Sequence, residues 1–203
     1  GTFGTLFMPS QTGGANWPGG AADPETGIMY IFSKSDVGRM SMSNRPDRSD
    51  MDYINLQTRN APPLRVDGLP LIKPPYGQIV ALDLNEGEIL WDAVHGETPD
   101  YIRNHPALAG IDIARTGQAG RVGLLTTKTM VIAGDGGSYT NADGEQEALL
   151  RAYDKLTGEQ LGSLPMPAQQ TGSPMTYAIN GVQYLAVSIS GGDVAGRLRV
   201  YSY

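Results

Sequence analysis

The chain contains no cysteine. That excludes a disulfide framework and any metal site built on thiolates, and it fits, without requiring, a protein outside the cytoplasm. Charge is also scarce: charged residues make up 18% of the chain and the net charge is -6. A nucleic-acid partner needs a basic footprint that displaces counterions, so this balance argues against one. No apolar run reaches the ~18–20 residues that a helix needs to cross a bilayer. The first residues, GTFGTLF, carry no initiator Met, charged n-region or signal core, and read as a start partway through something. Also missing are Gly-x-Ser-x-Gly, a P-loop, and a Gly-x-Gly-x-x-Gly opening a helix. Helical periodicity is almost absent, which sets aside a nicotinamide-type Rossmann fold.

What is present is a repeat. The stretch GQIVALDLNEGEILWD (77–92) reads as strand, tight turn at Asn85-Glu86-Gly87, and strand. Alternation places Val80, Leu82 and Leu84 on one face of the first strand, and Ile89 and Trp91 together on one face of the second. A second copy, LRAYDKLTGEQLGSL (150–164), sets Ala152 on Ala81, Asp154 on Asp83, Gly158 on Gly87 and Glu159 on Glu88. An unfinished third copy, RLRVYSY (197–203), repeats Arg151 and Tyr153 as Arg199 and Tyr201. At 203 residues and 21.6 kDa the chain is long enough for a sizeable core.

Inner hairpins precede each copy. The segment 21–33 is strand–turn–strand with its turn at Pro24-Glu25-Thr26-Gly27, and 122–134 is another. The segment 173–190 is the clearest hairpin, with Asn180-Gly181 favouring a type I′ turn. Thr2–Pro9 reads as a strand at the trailing edge of an earlier unit. Residues 34–76 hold neither period and read as a long irregular insertion. Residues 95–121 are a second irregular stretch with a short helical turn at 100–108, and 135–147 is a polar surface loop. Three units result: 17–92 with the insertion, 122–164, and 173–203 lacking its last strand. About four strands per unit at ~40–50 residues is the blade of a β-propeller, of which a closed ring needs about four to eight.

The pattern Ala-x-Asp-x-x-x-Gly-x-x-x-Trp in ALDLNEGEILW resembles the tryptophan-docking motif of the quinoprotein (pyrroloquinoline quinone, PQQ) dehydrogenases, in which each indole packs onto the next blade. GTLFMPSQTGGANWPGGAADPETGIMYI, TTKTMVIAGDGG, LRAYDKLTGEQL and TGSPMTYAINGVQYLAVSISGG resemble successive C-terminal segments of the same family. KPPYGQIVALDL is most similar to the membrane-bound glucose dehydrogenase branch. The resemblance spans the chain except 34–71 and 95–119. It implies an all-β fold, a partial β-propeller of about three to four blades out of eight, forming the C-terminal portion of a single propeller domain over 1–203. In the second copy Gly162 stands where the docking Trp would be, so that blade contact has to be made otherwise.

The resemblance further implies oxidation of a sugar or alcohol at PQQ held with Ca²⁺ or another divalent ion. It implies a periplasmic protein, membrane-associated through a part outside this segment, with a quinone or cytochrome as electron acceptor. The general base and the metal ligands belong to earlier blades and have no matching position here, so the segment by itself is expected to be inactive. Its partner would be the N-terminal remainder of the propeller. What the segment could supply is one wall of the cofactor pocket. Asn16 and Trp17 match an Asn-Trp that faces the cofactor in the family; read by themselves, Asn16 could equally cap a glycine turn and Trp17 be blade core. Arg121 stands at the level of another family residue over the cofactor and could pair with a PQQ carboxylate, or be a solvated loop arginine. Asp83 and Asp154 recur at a fixed turn position and read as structural hydrogen-bond acceptors. His95 and His105 have no ligand set around them in the sequence. Met40, Met42 and Met51 could form an apolar lid or lie on a surface loop. The alternative function, from another class, is a non-catalytic propeller scaffold for protein–protein interaction built from the same repeats.

Overall fold

A computed structural model of the protein describes residues 4–55 and 63–202; Thr2, Phe3 and Tyr203, which fall in the predicted end strands, lie outside them. The first sheet contains β1 (Gly20–Asp23), β2 (Ile28–Lys34), β3 (Gly77–Asp83) and β4 (Glu88–Val94), antiparallel in that order. The second contains β5 (Leu125–Thr126), β6 (Met130–Gly134), β7 (Gln146–Asp154) and β8 (Gln160–Met166), with a short added strand, Tyr139–Thr140, paired to the start of β7. The third contains only β9 (Met175–Ile179), β10 (Val182–Gly191) and β11 (Val194–Ser202). These sheets coincide with the three units of the repeat, and apart from the added Tyr139–Thr140 strand each runs in chain order, as propeller blades do. Asn180 and Gly181 both take positive φ, 51° and 80°, which is the type I′ turn that lets β9 and β10 follow the strand twist.

The turn aspartates have the structural role that their recurrence suggested. Asp83 Oδ1 accepts from the N–H groups of Asn85 (2.8 Å) and Glu86 (3.2 Å), and Asp154 Oδ1 from those of Leu156 (2.8 Å) and Thr157 (3.0 Å). In both turns the glycine N–H closes onto the aspartate carbonyl, Gly87 at 2.8 Å and Gly158 at 2.9 Å.

Strand alternation misplaces part of the core. The pairing of β4 with β3 slips between Ile89 and Trp91, so Leu90 is an extra residue and Trp91 sits opposite Ala81. A bulge of this kind reverses the parity of the face, and Ile89 and Trp91 do not lie together. The same slip occurs at Leu161, which places Gly162 opposite Ala152. On β3 the fully buried residues are Ile79 and Ala81, while Leu84 lies exposed beyond the strand end. The alternate residues of β3, Val80 and Leu82, are half-buried.

The first two blades pack through Tyr30, Phe32, Ile79, Val131 and Tyr153, and Trp91 rests against this cluster. Each such side chain contributes on the order of 1.5–3 kcal/mol by leaving water. The second and third blades, which lack a docking indole between them, pack through Ile132, Leu150, Met166, Leu185 and Val187. The Tyr201 hydroxyl adds a hydrogen bond to the Pro165 carbonyl (3.0 Å).

The segment between β2 and β3 is less irregular than its sequence suggests. Gly38–Met40 pairs with Thr5–Phe7, Met42–Ser43 with Ile54–Asn55, and Arg65–Val66 with Leu69–Pro70. These ladders are two or three residues long, too short to show a period. The strand at 5–7 therefore partners this segment. Met40, Met42 and Met51 are all exposed. A short helix (Asp100–Arg103) and a 3₁₀ turn (Pro106–Leu108) occupy the predicted helical place.

Candidate functional site

The loop 10–19 is shaped by two glycines at positive φ. The Gly13 N–H donates to the Ser10 carbonyl (2.8 Å) and the Gly19 N–H to the Asn16 carbonyl (2.9 Å). Asn16 turns its own amide inward on this loop, accepting from the Trp17 N–H (2.7 Å) and donating to the Thr12 carbonyl. Asn16 thus does cap a glycine turn. Trp17 is not blade core, being 98% exposed. The loop is tied to the end of β2 by Lys34, whose ammonium donates to Thr12 Oγ1 (2.6 Å) and Asp36 Oδ2 (3.0 Å). Burial works against ionisation of Asp36, but the Ser10 hydroxyl (2.8 Å) and the Lys34 ammonium outweigh it and hold the carboxyl below its usual range.

Arg121 comes from a stretch, 116–123, that threads between blades. The Gln118 N–H donates to the His95 carbonyl (3.0 Å), and Gly120 lies so close to Gly136 that a Cβ there would sit 2.6 Å from the Gly136 Cα. The side chain of Arg121 is exposed and has no hydrogen-bond or ion-pair partner among the described residues. Asn16, Trp17 and Arg121, from loops that enter the first strands of adjacent blades, line one cleft of about 490 Å³ together with Gln11 and Thr12. The sequence motif pointed to the loop but not to Lys34 and Asp36 as its anchors, which carry no local signal.

The stretch that carries Arg121 is joined through the His95 carbonyl to a buried polar network. Asp135, read from sequence as the start of a surface loop, is fully buried. Its carboxylate takes the Arg151 guanidinium through Nε (2.7 Å) and Nη2 (3.1 Å), and also the Leu149 N–H (3.0 Å). Arg151 Nη2 reaches Glu97 Oε1 as well (2.9 Å), which fastens the irregular stretch 95–121 to the second blade. His95 completes the contact: its Nε2 lies 3.1 Å from the Gly134 carbonyl and its Nδ1 2.9 Å from the Tyr153 hydroxyl. A carbonyl only accepts, so Nε2 carries the proton and Nδ1 accepts from Tyr153, whose phenol is kept protonated by burial.

Burial drives the His95 pKa from 6.5 down to about 4, against the nearby Asp135 charge. Between these values the unfolded chain binds the proton that the folded one refuses, so stability rises with pH there. It is complete above pH 6.5 and is lost as pH falls towards 4, by about 3 kcal/mol. Urea unfolding across this window is expected to show that slope, and a His95→Gln variant to lack it. An identical slope in the variant would assign the effect to other groups.

Among the described residues, no group of three or more His, Cys, Asp or Glu converges as a cation site.

Successive antiparallel sheets that pack on one another, the first two sharing one turn chemistry and one bulge, are blades of a β-propeller. Over residues 1–185 the chain matches the PQQ family described as glucose/ethanol/alcohol dehydrogenase, beta-propeller domain, and it belongs to that family. It is 26% identical to quinoprotein glucose dehydrogenase A of Acinetobacter calcoaceticus, covering 93% of this chain and 24% of that protein. It is 28% identical to the quinoprotein glucose dehydrogenase of Escherichia coli strain K12, covering 93% of this chain and 25% of that one. The quinohemoprotein alcohol dehydrogenase of Comamonas testosteroni shares the fold at a TM-score of 0.61 and 19% identity, over 98% of this chain and 27% of its own. The chain thus spans about a quarter of the length of these relatives.

Proposed function

We propose that this chain forms one wall of the cofactor pocket in a PQQ-dependent dehydrogenase that oxidises a sugar or alcohol. The N-terminal remainder of the propeller would supply the catalytic base and the divalent ion. The observation that carries this reading is the shared cleft of Asn16, Trp17 and Arg121. PQQ is a flat quinone bearing three carboxylates, and the residues present suit it. Arg121 offers a guanidinium without a carboxylate of its own, and Trp17 an indole face held out of the core. An arginine pairs bidentately with a carboxylate, and an indole covers a planar ring. When bound, the quinone accepts the two electrons removed from the substrate's carbinol. Trp17 would exclude water from its face, Asn16 would fix the loop, and Arg121 would hold a carboxylate edge. A periplasmic location, with a quinone or cytochrome as acceptor, accords with this reading and with the lack of cysteine.

In the full-length protein, Arg121→Ala is expected to weaken PQQ binding about ten- to a hundredfold, the range for a hydrogen bond to a charged group. Equilibrium titration followed by the quinone absorbance reads this directly. Trp17→Ala is expected to weaken binding as well. Unchanged PQQ affinity in both variants would remove the pocket from this face and favour the scaffold role.

A further inference from the structure

The end of the insertion and the stretch that follows β4 enclose an apolar cleft of about 540 Å³. Ile72 and Pro74 line it from the insertion, and Val94, Ile102, Leu108 and Ile113 from the other segment. Hydrogen bonds tie the two walls together in two places. The Tyr76 N–H donates to the Thr116 carbonyl (2.8 Å), and the Thr116 N–H to Thr98 Oγ1 (3.0 Å). Elsewhere His105 Nε2 donates to the Asp67 carbonyl (2.6 Å), in the turn between Arg65–Val66 and Leu69–Pro70, while its Nδ1 accepts from the Ala107 N–H (3.2 Å). The space is thus held open by contacts around it, and its size is that of a preformed small-molecule site, about 300–1,000 Å³. It shares no lining residue with the cleft of Asn16, Trp17 and Arg121.

The polar groups of the lining set the kind of ligand. Tyr76 and Thr116 are spent within the walls, their hydroxyls donating to the carbonyls of Ile72 (3.2 Å) and Gly117 (3.0 Å). Two cations remain, Arg115 and Lys73, and no acidic side chain is among the described residues that line the cleft. Arg115 is half-buried, and its Nη1 and Nη2 donate to Gln160 Oε1 (2.8 Å) and the Val94 carbonyl (2.9 Å). Both acceptors are neutral, and no carboxylate pairs with Arg115 among the described residues. A guanidinium withdrawn from water and lacking a counter-charge favours an anion on its remaining donors. Lys73 is exposed and adds a weaker, solvent-screened attraction. A neighbouring cleft of about 380 Å³ shares Pro70, Ile72 and Tyr76 but brings Asp36 and Gln118 into its wall, so an apolar anion is favoured in the larger cleft.

We propose that this cleft is a binding site for a single-chain fatty carboxylate, with the carboxylate on Arg115 and the chain along the apolar walls. The proposal stands whether or not the other cleft takes the quinone. Hexanoate, octanoate and octanamide separate its two parts, since the first pair differ in chain length and the second in charge. Isothermal titration into the full-length, PQQ-loaded protein is expected to show octanoate binding about tenfold tighter than hexanoate, as two buried methylenes require. Octanoate should also bind at least about tenfold tighter than octanamide. Arg115→Gln should weaken octanoate about ten- to a hundredfold and leave octanamide within about twofold. Arg115→Lys should recover only part of the loss, because an ammonium does not pair bidentately. Lys73→Ala should change octanoate by less than about threefold. Protein freed of PQQ should bind octanoate with unchanged affinity. The comparison of the three ligands needs no variant: absence of a chain-length effect, or equal binding of acid and amide, would overturn the proposal. Octanoate affinity unmoved by Arg115→Gln would overturn it as well, and so would a loss shared equally by the amide. A loss carried by Lys73→Ala instead would take the carboxylate away from Arg115. Octanoate binding that appears or disappears with PQQ would place the ligand in the cofactor pocket and overturn the separate site.

Discussion

Replacing Arg151 with methionine is expected to destabilise the protein by about 3–5 kcal/mol, enough to unfold a domain of ordinary stability. The reason lies in what remains behind. Asp135 has no solvent exposure, and its carboxylate takes two of the Arg151 donors at 2.7 and 3.1 Å. With the guanidinium gone, a buried charge stands uncompensated, and Glu97 loses the 2.9 Å contact that fastens residues 95–121 to the second blade. An uncompensated ion costs far more than the intact pair contributes. The double variant Asp135→Asn/Arg151→Met is therefore expected to recover more than half of the loss. It removes both charges, and the asparagine carbonyl can still accept from the Leu149 N–H, now 3.0 Å from the carboxylate. Urea unfolding of the three proteins decides the matter. A single variant within about 1 kcal/mol of the parent, or a double variant worse than the single, would show that the pair is not the brace described here. The consequence for function follows from the same contacts, since the braced stretch carries Arg121 to its cleft.

The blades were legible because their signals are local. A turn aspartate, a glycine four residues on and flanking alternation all fall within about a dozen residues, so the hairpins at 77–94 and 146–166 could be read from the chain. The features that were not legible act over distance or break parity. Leu90 and Leu161 each insert one residue into a ladder, and a period of two carries no mark of an insertion. Asp135 meets Arg151 across paired strands sixteen residues apart, and meets His95 across two blades. Nothing near Asp135 in the sequence distinguishes it from a surface-loop acid. The cleft itself was half visible. The GGANW loop and Arg121 could be named from resemblance, but the exposure of Trp17 depends on how Asn16 spends its amide inside the loop. A second cleft, built from residues as far apart as Asp36 and Gln118, belongs to the tertiary structure alone.

Trp91→Ala is expected to cost about 3 kcal/mol, and its coupling to Gly158 should reveal how one blade is keyed to the next. The indole Nε1 donates to the Lys155 carbonyl (3.1 Å), which also accepts from the Tyr30 hydroxyl (3.0 Å). The Tyr30 ring lies 5.7 Å from Trp91, and the Lys155 ammonium reaches back to Asp23 at 2.6 Å, which draws that carboxyl down to about 2. The turn at Lys155–Gly158 is thus gripped from both its backbone and its side chain by the preceding blade. Gly158 is the residue that lets the indole close on it: a Cβ there would lie 2.6 Å from the ring carbon Cε3. Its φ of 74° adds a second reason, since the left-handed region disfavours any side chain. Gly158→Ala in the parent should therefore cost the conformational penalty of about 1–2 kcal/mol plus the displacement of the indole. In a Trp91→Ala background the ring is gone and only the conformational part remains. A double-mutant cycle by urea unfolding is expected to give a coupling of about 1–3 kcal/mol. Strict additivity would mean that the indole does not bear on Gly158. Gly162 provides the comparison within the same molecule, because a Cβ there meets nothing within 4 Å. Gly162→Ala should therefore lie within about 0.5 kcal/mol of the parent, although the two glycines are four residues apart in one hairpin.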